Sequence, residues 1–396
     1  MLNKNRRGMK NIVKGILFGS LLAATLTACG SQDSSSSAGS AGSSGSSAES
    51  SDVIRIGQIA PFSGNAASFG IWDNNGLMLV VDEVNANGGI QGKKIEVIKM
   101  DDQGNPTLAV NAAQKLVNEN VSAVFATPLS TATLATINVF KEAKIPQLTA
   151  GQDPALTSKG SEYIFRYNAN SRAYTKTTAD YLVNKLGMKK IAIISNSGAY
   201  GKGELDSFTA ALKELNVTPV ASEVVAPDAK DFSAQLTNIK AANPEVLYIG
   251  SENIQSGLIV KQARALGLNA QIAGGSALDP IYIQTAGKDV AEGTIFTTQY
   301  IINANEETKA FNEAYKEKYG EEAEFHGAKA YDGAKMLVEA LNKAYPNLDG
   351  ESVRTALREI TYKGLTGEYK FDETGEGTDR AQIGIIKNGQ FEAVDY

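Results

Sequence analysis

The chain has 396 residues, with 38 lysines and arginines against 44 aspartates and glutamates, one histidine and one cysteine. A net charge of −6 supplies no basic stripe for phosphates, which argues against a nucleic-acid partner. A single cysteine allows no disulfide framework and no thiolate metal site, and a single histidine supplies metal catalysis poorly.

The first residues set the compartment. Lys4, Arg6, Arg7, Lys10 and Lys14 form a positive segment, followed by the short apolar run Ile16 to Ala24. That run falls short of the ~20 residues a bilayer span needs, so residues 1–28 read as a signal peptide. Leu26-Thr27-Ala28-Cys29 resembles a bacterial lipobox, which implies cleavage before Cys29 and acylation of its thiol. Residues 29–52 hold Cys29 and a tract of mostly Ser, Gly and Ala that cannot bury apolar surface. It reads as a flexible tether with a reach of about 25 Å. Several acyl chains make such an anchor stable where one alone is marginal. Loss of the five basic residues of the signal peptide leaves 33 basic against 44 acidic side chains, a net −11. The expectation is an extracytoplasmic protein, lipid-anchored to the cell membrane and otherwise soluble.

From Val53 onward the pattern is strand, helix, strand. Val53 to Ile59 reads as a strand. The next helix carries Leu77, Val80, Val81 and Val84 on one face and stops at Gly88-Gly89. Lys94 to Met100 is the second strand, and Asn105-Pro106 supplies an N-cap and an N1 proline for a helix packing Ala109, Ala112, Ala113 and Leu116. Strands at Ala123–Ala126 and Ile145–Leu148 flank another helix. The pattern then restarts with a strand at Lys190–Ser195 and a helix facing Leu205, Phe208, Thr209 and Leu212 inward. Strands near Val217–Val224, Glu245–Ile249 and Gln271–Ala273 alternate with helices near Asp231–Ala241 and Ile254–Leu266. Two such rounds imply an α/β protein of two Rossmann-like parallel-sheet lobes.

The two rounds also match each other. The first strand of round one runs into Ser63-Gly64 and Phe69-Gly70, and that of round two into Ser197-Gly198 and Tyr200-Gly201. Each lobe thus places an aromatic on a Gly-flexible loop at the carboxyl edge of a parallel strand, where open α/β sheets bind ligands. Later loops extend the match: Pro128-Leu129-Ser130-Thr131 and Thr149-Ala150-Gly151-Gln152 in one lobe, Ser251-Glu252-Asn253 and Gly274-Gly275-Ser276 in the other. With the lobes face to face, the aromatics bracket a ligand while hydroxyls, helix N-termini and a carboxylate hold its polar ends.

Several stretches now carry a resemblance. They are Ile56-Gly-Gln-Ile-Ala-Pro-Phe-Ser-Gly64, Val84-Asn-Ala-Asn-Gly-Gly-Ile-Gln-Gly92, Asp101-Asp102 and Ala199-Tyr-Gly-Lys-Gly203. Lys230-Asp-Phe-Ser233, Lys261-Gln-Ala-Arg-Ala-Leu-Gly-Leu268 and Ala330-Tyr-Asp-Gly333 follow in order. Together they resemble the branched-chain amino-acid-binding family of ABC-transporter substrate-binding proteins, which has the type I periplasmic-binding-protein fold. The resemblance implies three crossovers, near 170, 297 and 378, with lobe 1 formed by residues 53–170 and 297–378 and lobe 2 by 171–296 and 379–396. It implies closure by hinge bending and a monomer.

The resemblance also assigns site residues. Ser130 and the backbone around Ala150 to Gln152 correspond to the family's grip on an amino-acid carboxylate. Gly151-Gln152-Asp153 stands where the family often has Thr or Ser, in a loop one residue shorter. Tyr200 and Phe69 match the family's aromatics. Its ammonium-pairing acid falls at Ser276, a departure, and Glu252 on a neighbouring loop is the replacement expected here, with Asp279 the second candidate. Trp72 either shapes a side-chain pocket or packs at the helix start. His326 either touches the ligand side chain or is a polar helix-start residue. A hydrolase reading fails on the absence of any Gly-x-Ser-x-Gly elbow, and Gly198-x-x-Gly201-x-Gly203 is not a phosphate loop. The expected function is therefore ligand capture without catalysis, cofactor or metal. The chain would bind a small amino acid, branched-chain first, and pass it to a membrane permease. A sensor feeding a receptor, or an importer component for another small molecule, is the alternative.

Overall fold

The computed structural model describes residues 53–395, so the signal peptide, Cys29 and tether lie outside the described residues. The chain opens with β1 (Val53–Ala60), α1 (Ala67–Ala86), β2 (Lys94–Asp101) and α2 (Pro106–Asn118). Next come β3 (Val124–Phe125), α3 (Ser130–Ala143), β4 (Gln147–Thr149), α4 (Ala155–Ser158) and β5 (Ile164–Arg166). The second round has α5 (Ser171–Asp180), β6 (Ile191–Asn196), α6 (Ala199–Glu214), β7 (Ala221–Val225) and α7 (Ser233–Ala241). It continues through β8 (Val246–Gly250), α8 (Asn253–Ala265), β9 (Gln271–Gly274), α9 (Pro280–Ala286), α10 (Lys288–Ala291) and β10 (Ile295–Thr298). The last part holds α11 (Glu306–Tyr319), α12 (Phe325–Ala344), α13 (Gly350–Arg358) and the hairpin β11 (Thr361–Lys363) and β12 (Glu368–Lys370). Strands β13 (Gln382–Lys387) and β14 (Gln390–Ala393) complete the chain.

The strands form two main sheets. The first runs β2-β1-β3-β4-β5, all parallel. The second runs β14-β13-β10-β9-β8-β6-β7, parallel from β7 to β10 and antiparallel at β13 and β14. Stripped of its antiparallel edge, the second sheet repeats the strand order of the first. The internal correspondence of the sequence is thus a repeat of topology. In each lobe the order reverses beside the first strand, at β1/β3 and at β6/β8, which is the switch point where such sheets bind ligands.

Local chemistry explains the helix starts. The Asn105 side chain accepts from the N–H groups of Thr107 and Leu108 at 2.8 and 3.2 Å, and Pro106 follows at N1, so α2 begins where its sequence says. Two expectations change. On α6 the buried stripe is Tyr200, Glu204, Ser207, Phe208, Ala211 and Leu212, while Thr209 is exposed. Phe69 and Tyr200 belong to the first turns of α1 and α6, not to the loops before them, because each helix starts within three residues of Gly64 or Gly198. No element after β9 is assigned from the sequence.

Helices α1 and α12 pack over the first sheet around Leu77, Val80, Ala330, Ala334 and Leu337. Their crossing depends on Gly76: a Cβ there would meet the Gly327 carbonyl oxygen, and it would stand 2.7 Å from the Ala330 Cβ. Because α1 carries Phe69 and α12 carries His326, this approach sets the spacing of two cleft aromatics. Gly76→Ala is expected to destabilise by about 1–3 kcal/mol through overpacking, read as a lowered urea midpoint at unchanged slope.

Candidate functional site

The carboxyl ends of β1, β3 and β4 face those of β6, β8 and β9 across a cleft, and the lobes touch. The Ala199 N–H donates to Thr131 Oγ1 at 3.0 Å, Gln152 Nε2 donates to Ser276 Oγ at 2.6 Å, and Asn253 Nδ2 donates to Ser68 Oγ at 3.4 Å. Between them lies a cavity of about 30 Å³ walled by Phe69, Pro128, Leu129, Ser130, Ala150, Gln152, Tyr200, Glu252, Ala277 and His326. A wider mouth of about 470 Å³ shares Phe69, Leu129, Ser130 and Glu252 with it.

Seven of the nine residues expected at the site line this cavity: Phe69, Ser130, Ala150, Gln152, Tyr200, Glu252 and His326. Ser276 is fully buried beside it, bonded to Gln152, and its neighbour Ala277 forms the wall. Trp72 stands behind the wall, its ring stacked on His326 at 6.0 Å and 8°. Asp279 does not reach the cavity. Its Oδ1 caps α9 by accepting from Ile281 and Tyr282, and its Oδ2 accepts from Asn253 at 2.7 Å.

Ser130 opens α3, and its Oγ accepts from the N–H groups of Gln152 (2.9 Å) and Asp153 (3.1 Å). With both lone pairs engaged, the hydroxyl proton stays available for donation at a cavity wall beside a helix N-terminus, an arrangement suited to a carboxylate. The 150s loop is held from behind by Arg166, which is fully buried. Arg166 Nη2 donates to the Asp153 carbonyl at 2.9 Å, Nη1 to the Gly151 carbonyl, and Nε pairs with Glu376 at 2.9 Å. Asn168 Nδ2 donates to the Ala150 carbonyl at 2.9 Å.

The opposite wall is acidic. Glu252 is half-buried, and its carboxylate accepts from Asn196 Nδ2. Burial raises its pKa, and the hydrogen bonds to its own N–H and to Asn196 oppose the rise. Tyr200 is buried, and burial holds its hydroxyl pKa well above the usual range. Beneath it Glu204 accepts from the Tyr248 hydroxyl and is pushed up to about 7 by burial. Behind His326 lies a second polar cluster from both lobes. Lys329 is fully buried, its Nζ has no hydrogen-bond partner, and it stands 5.0 Å from the Phe325 ring centroid. Burial lowers its pKa, while Glu324, Asp73 and Asp279 raise it. Asp73, which accepts from the Tyr167 hydroxyl at 2.6 Å, and Asp279 are each pushed up to about 7 by burial.

Sequence reasoning missed Arg166, Asn196, Glu204 and Lys329. Glu204 left a trace four residues beyond Tyr200, and Lys329 three residues beyond His326, each on the same helix face as its expected site residue. Among the described residues no cluster of His, Cys, Asp or Glu could hold a metal, and no helix is long and apolar enough to cross a membrane.

A carboxylic acid whose pKa is raised by folding contributes most below its unfolded value, and that contribution is lost as the pH climbs through its folded value. With Glu204, Asp73 and Asp279 each near 7, stability is expected to fall from pH 5 to pH 8. Glu204→Gln should flatten that fall by up to about 3 kcal/mol, at ~1.4 kcal/mol per pKa unit, in urea titrations at the two pH values.

The family model for periplasmic binding proteins matches residues 53–390. The Leu/Ile/Val-binding protein BraC3 of Rhizobium johnstonii is 33% identical over 330 residues, covering 83% of this chain and 90% of the relative. LivJ of Streptococcus pneumoniae, a branched-chain amino acid transporter substrate-binding protein solved with isoleucine, matches with a TM-score of 0.80 at 30% identity, covering 86% of this chain and 98% of that one. An ABC-transporter solute-binding protein of Rhodopseudomonas palustris, solved with 3,4-dihydroxybenzoic acid, matches with a TM-score of 0.79 at 26% identity, covering 87% and 96%.

Proposed function

The chain belongs to the periplasmic binding protein family, within its branched-chain amino-acid-binding group, and from that premise we propose that it captures a small amino acid for an ABC importer. The observation that carries this reading is the pairing across one cavity of a hydroxyl donor at a helix N-terminus with a carboxylate. Ser130 and the 150s loop take the ligand carboxylate, and Glu252 takes its ammonium. Phe69 and Tyr200 close over the ligand from the two lobes. Asp279 no longer competes for the ammonium, since both its oxygens are engaged. The names of the relatives favour the branched-chain size class.

Closure about the crossovers brings both sets of contacts onto the ligand at once, so binding stabilises the closed state. Micromolar binding requires ~8 kcal/mol. That stays within a ceiling of ~1.5 kcal/mol per atom for a small ligand in a dry, preorganised site. The closed protein then presents both lobes to a membrane permease, while an acylated Cys29 and the Ser/Gly tether keep it at the membrane. One observation favours a different cargo: Gln152 bonded to Ser276 fills the place that the family resemblance gives to an acid.

A thermal-shift and calorimetric screen of the full chain against all amino acids, organic acids and purines tests the reading. At least one α-amino acid should raise the melting temperature, by ~2.7 kcal/mol of stabilisation at 100 times Kd. Ser130→Ala and Glu252→Ala should each weaken that ligand by about ten-fold or more, a loss of ~1.4 kcal/mol. A hit confined to other compounds, or affinity indifferent to both substitutions, refutes the assignment. For the anchor, Cys29→Ser is expected to move the protein from the membrane fraction to the soluble fraction of its native host.

A further inference from the structure

The wall at His326 bears on which side chain the ligand carries, an inference that rests on the amino-acid reading above. His326 is the second residue of α12 and is 7% exposed. Its ring is gripped entirely by aromatic packing. Trp72 stacks on it at 6.0 Å and 8°, Phe69 meets it edge-on at 4.9 Å and 79°, and Phe325 tilts against it at 4.3 Å. Nothing in that packing uses its nitrogens: Nδ1 and Nε2 are both buried, and neither has a hydrogen-bond partner. A phenyl ring would fill the same stack without any unpaired polar atom. Buried polar side-chain atoms are paired in the large majority of cases, and leaving one unpaired is destabilising. His326 is also part of the cavity wall.

We propose that the ligand is an amino acid whose side chain carries an uncharged hydrogen-bonding group, a hydroxyl or a carboxamide, received by His326. A neutral imidazole offers one donor and one acceptor, which matches either group. Burial, followed by the nearby Lys329 ammonium, keeps the ring neutral, so it brings no positive charge to an anionic side chain. Lys329 and the acids Asp73, Glu324 and Asp279 stand behind His326 and do not line the cavity, so a charged ligand side chain meets no counter-charge at this wall. A purely aliphatic side chain would seal both nitrogens in the closed cleft without partners. Sites built to pair a polar group reject an isostere lacking it far more strongly than apolar pockets discriminate by size.

Calorimetry on the full chain in mild detergent tests this with two near-isosteric pairs, threonine against valine and asparagine against leucine. The expected result is at least ten-fold tighter binding of the polar member in one pair or both. His326→Phe should abolish or invert that preference while leaving the apolar member bound. The wild-type ratios alone overturn the proposal if valine and leucine bind as tightly as their polar partners or more so, and that outcome leaves the amino-acid reading standing. A preference that persists unchanged in folded His326→Phe, judged by near-ultraviolet circular dichroism, overturns the role of His326. Silence from every α-amino acid removes the underlying reading and this inference with it.

Discussion

A parallel sheet delivers all of its helix-forming connections at one edge, and this protein builds that edge twice with the same strand order. In each lobe the first, third and fourth strands in chain order send their loops into the cleft: β1, β3 and β4 on one side, β6, β8 and β9 on the other. The equivalence determines what meets what. Phe69 faces Tyr200, and Ser130 and the 150s loop face Glu252 and the Gly275-Ser276-Ala277 turn. No single contact creates the site. It follows from two copies of one topology folded toward each other.

Around that edge the polar groups are layered. The surface toward the cavity consists of donors and acceptors whose own geometry is already held, as with Ser130 accepting from two backbone N–H groups. Behind it are the groups that do the holding. Arg166 reaches the Gly151 and Asp153 carbonyls and pairs with Glu376, tying the ligand-side loop to the segment that leads back to β13. Behind the other wall, Lys329 faces carboxylates of both lobes. Buried charge of this kind is weak evidence for stability, since desolvation offsets much of the attraction. Its consequence is positional: removing one partner would leave the others uncompensated.

Much of this organisation was legible in the residues. Asn105-Pro106, the glycine pairs and the alternation of apolar runs located most elements up to β9, because caps and periodicity are local and act within one or two turns. The paired motifs at Phe69 and Tyr200 exposed the repeat, the family resemblance placed Ser130, Ala150 and Gln152, and the departure at Ser276 pointed to Glu252 on the neighbouring loop; all four reach the cavity. Asp279 reads from the sequence only as the second candidate for the binding acid. The partners on its two oxygens make it a helix cap. Trp72 is similar: spacing put it near the site, but packing made it the plate on which His326 rests.

The sequence by itself determined the alternation of strand and helix, the two equivalent rounds and the residue types offered at each strand end. These depend on backbone preference and on hydrophobic period, both of which are written within short windows of chain. The tertiary structure decided how those groups are used. Arg166 and Glu376 are 210 residues apart, and Gln152 and Ser276 are 124 apart, so no local rule couples either pair. Whether a carboxylate is a ligand contact, a cap or part of a buried cluster depends on which atoms exclude water from it, and those atoms arrive from the other lobe or from distant helices only when the chain has folded.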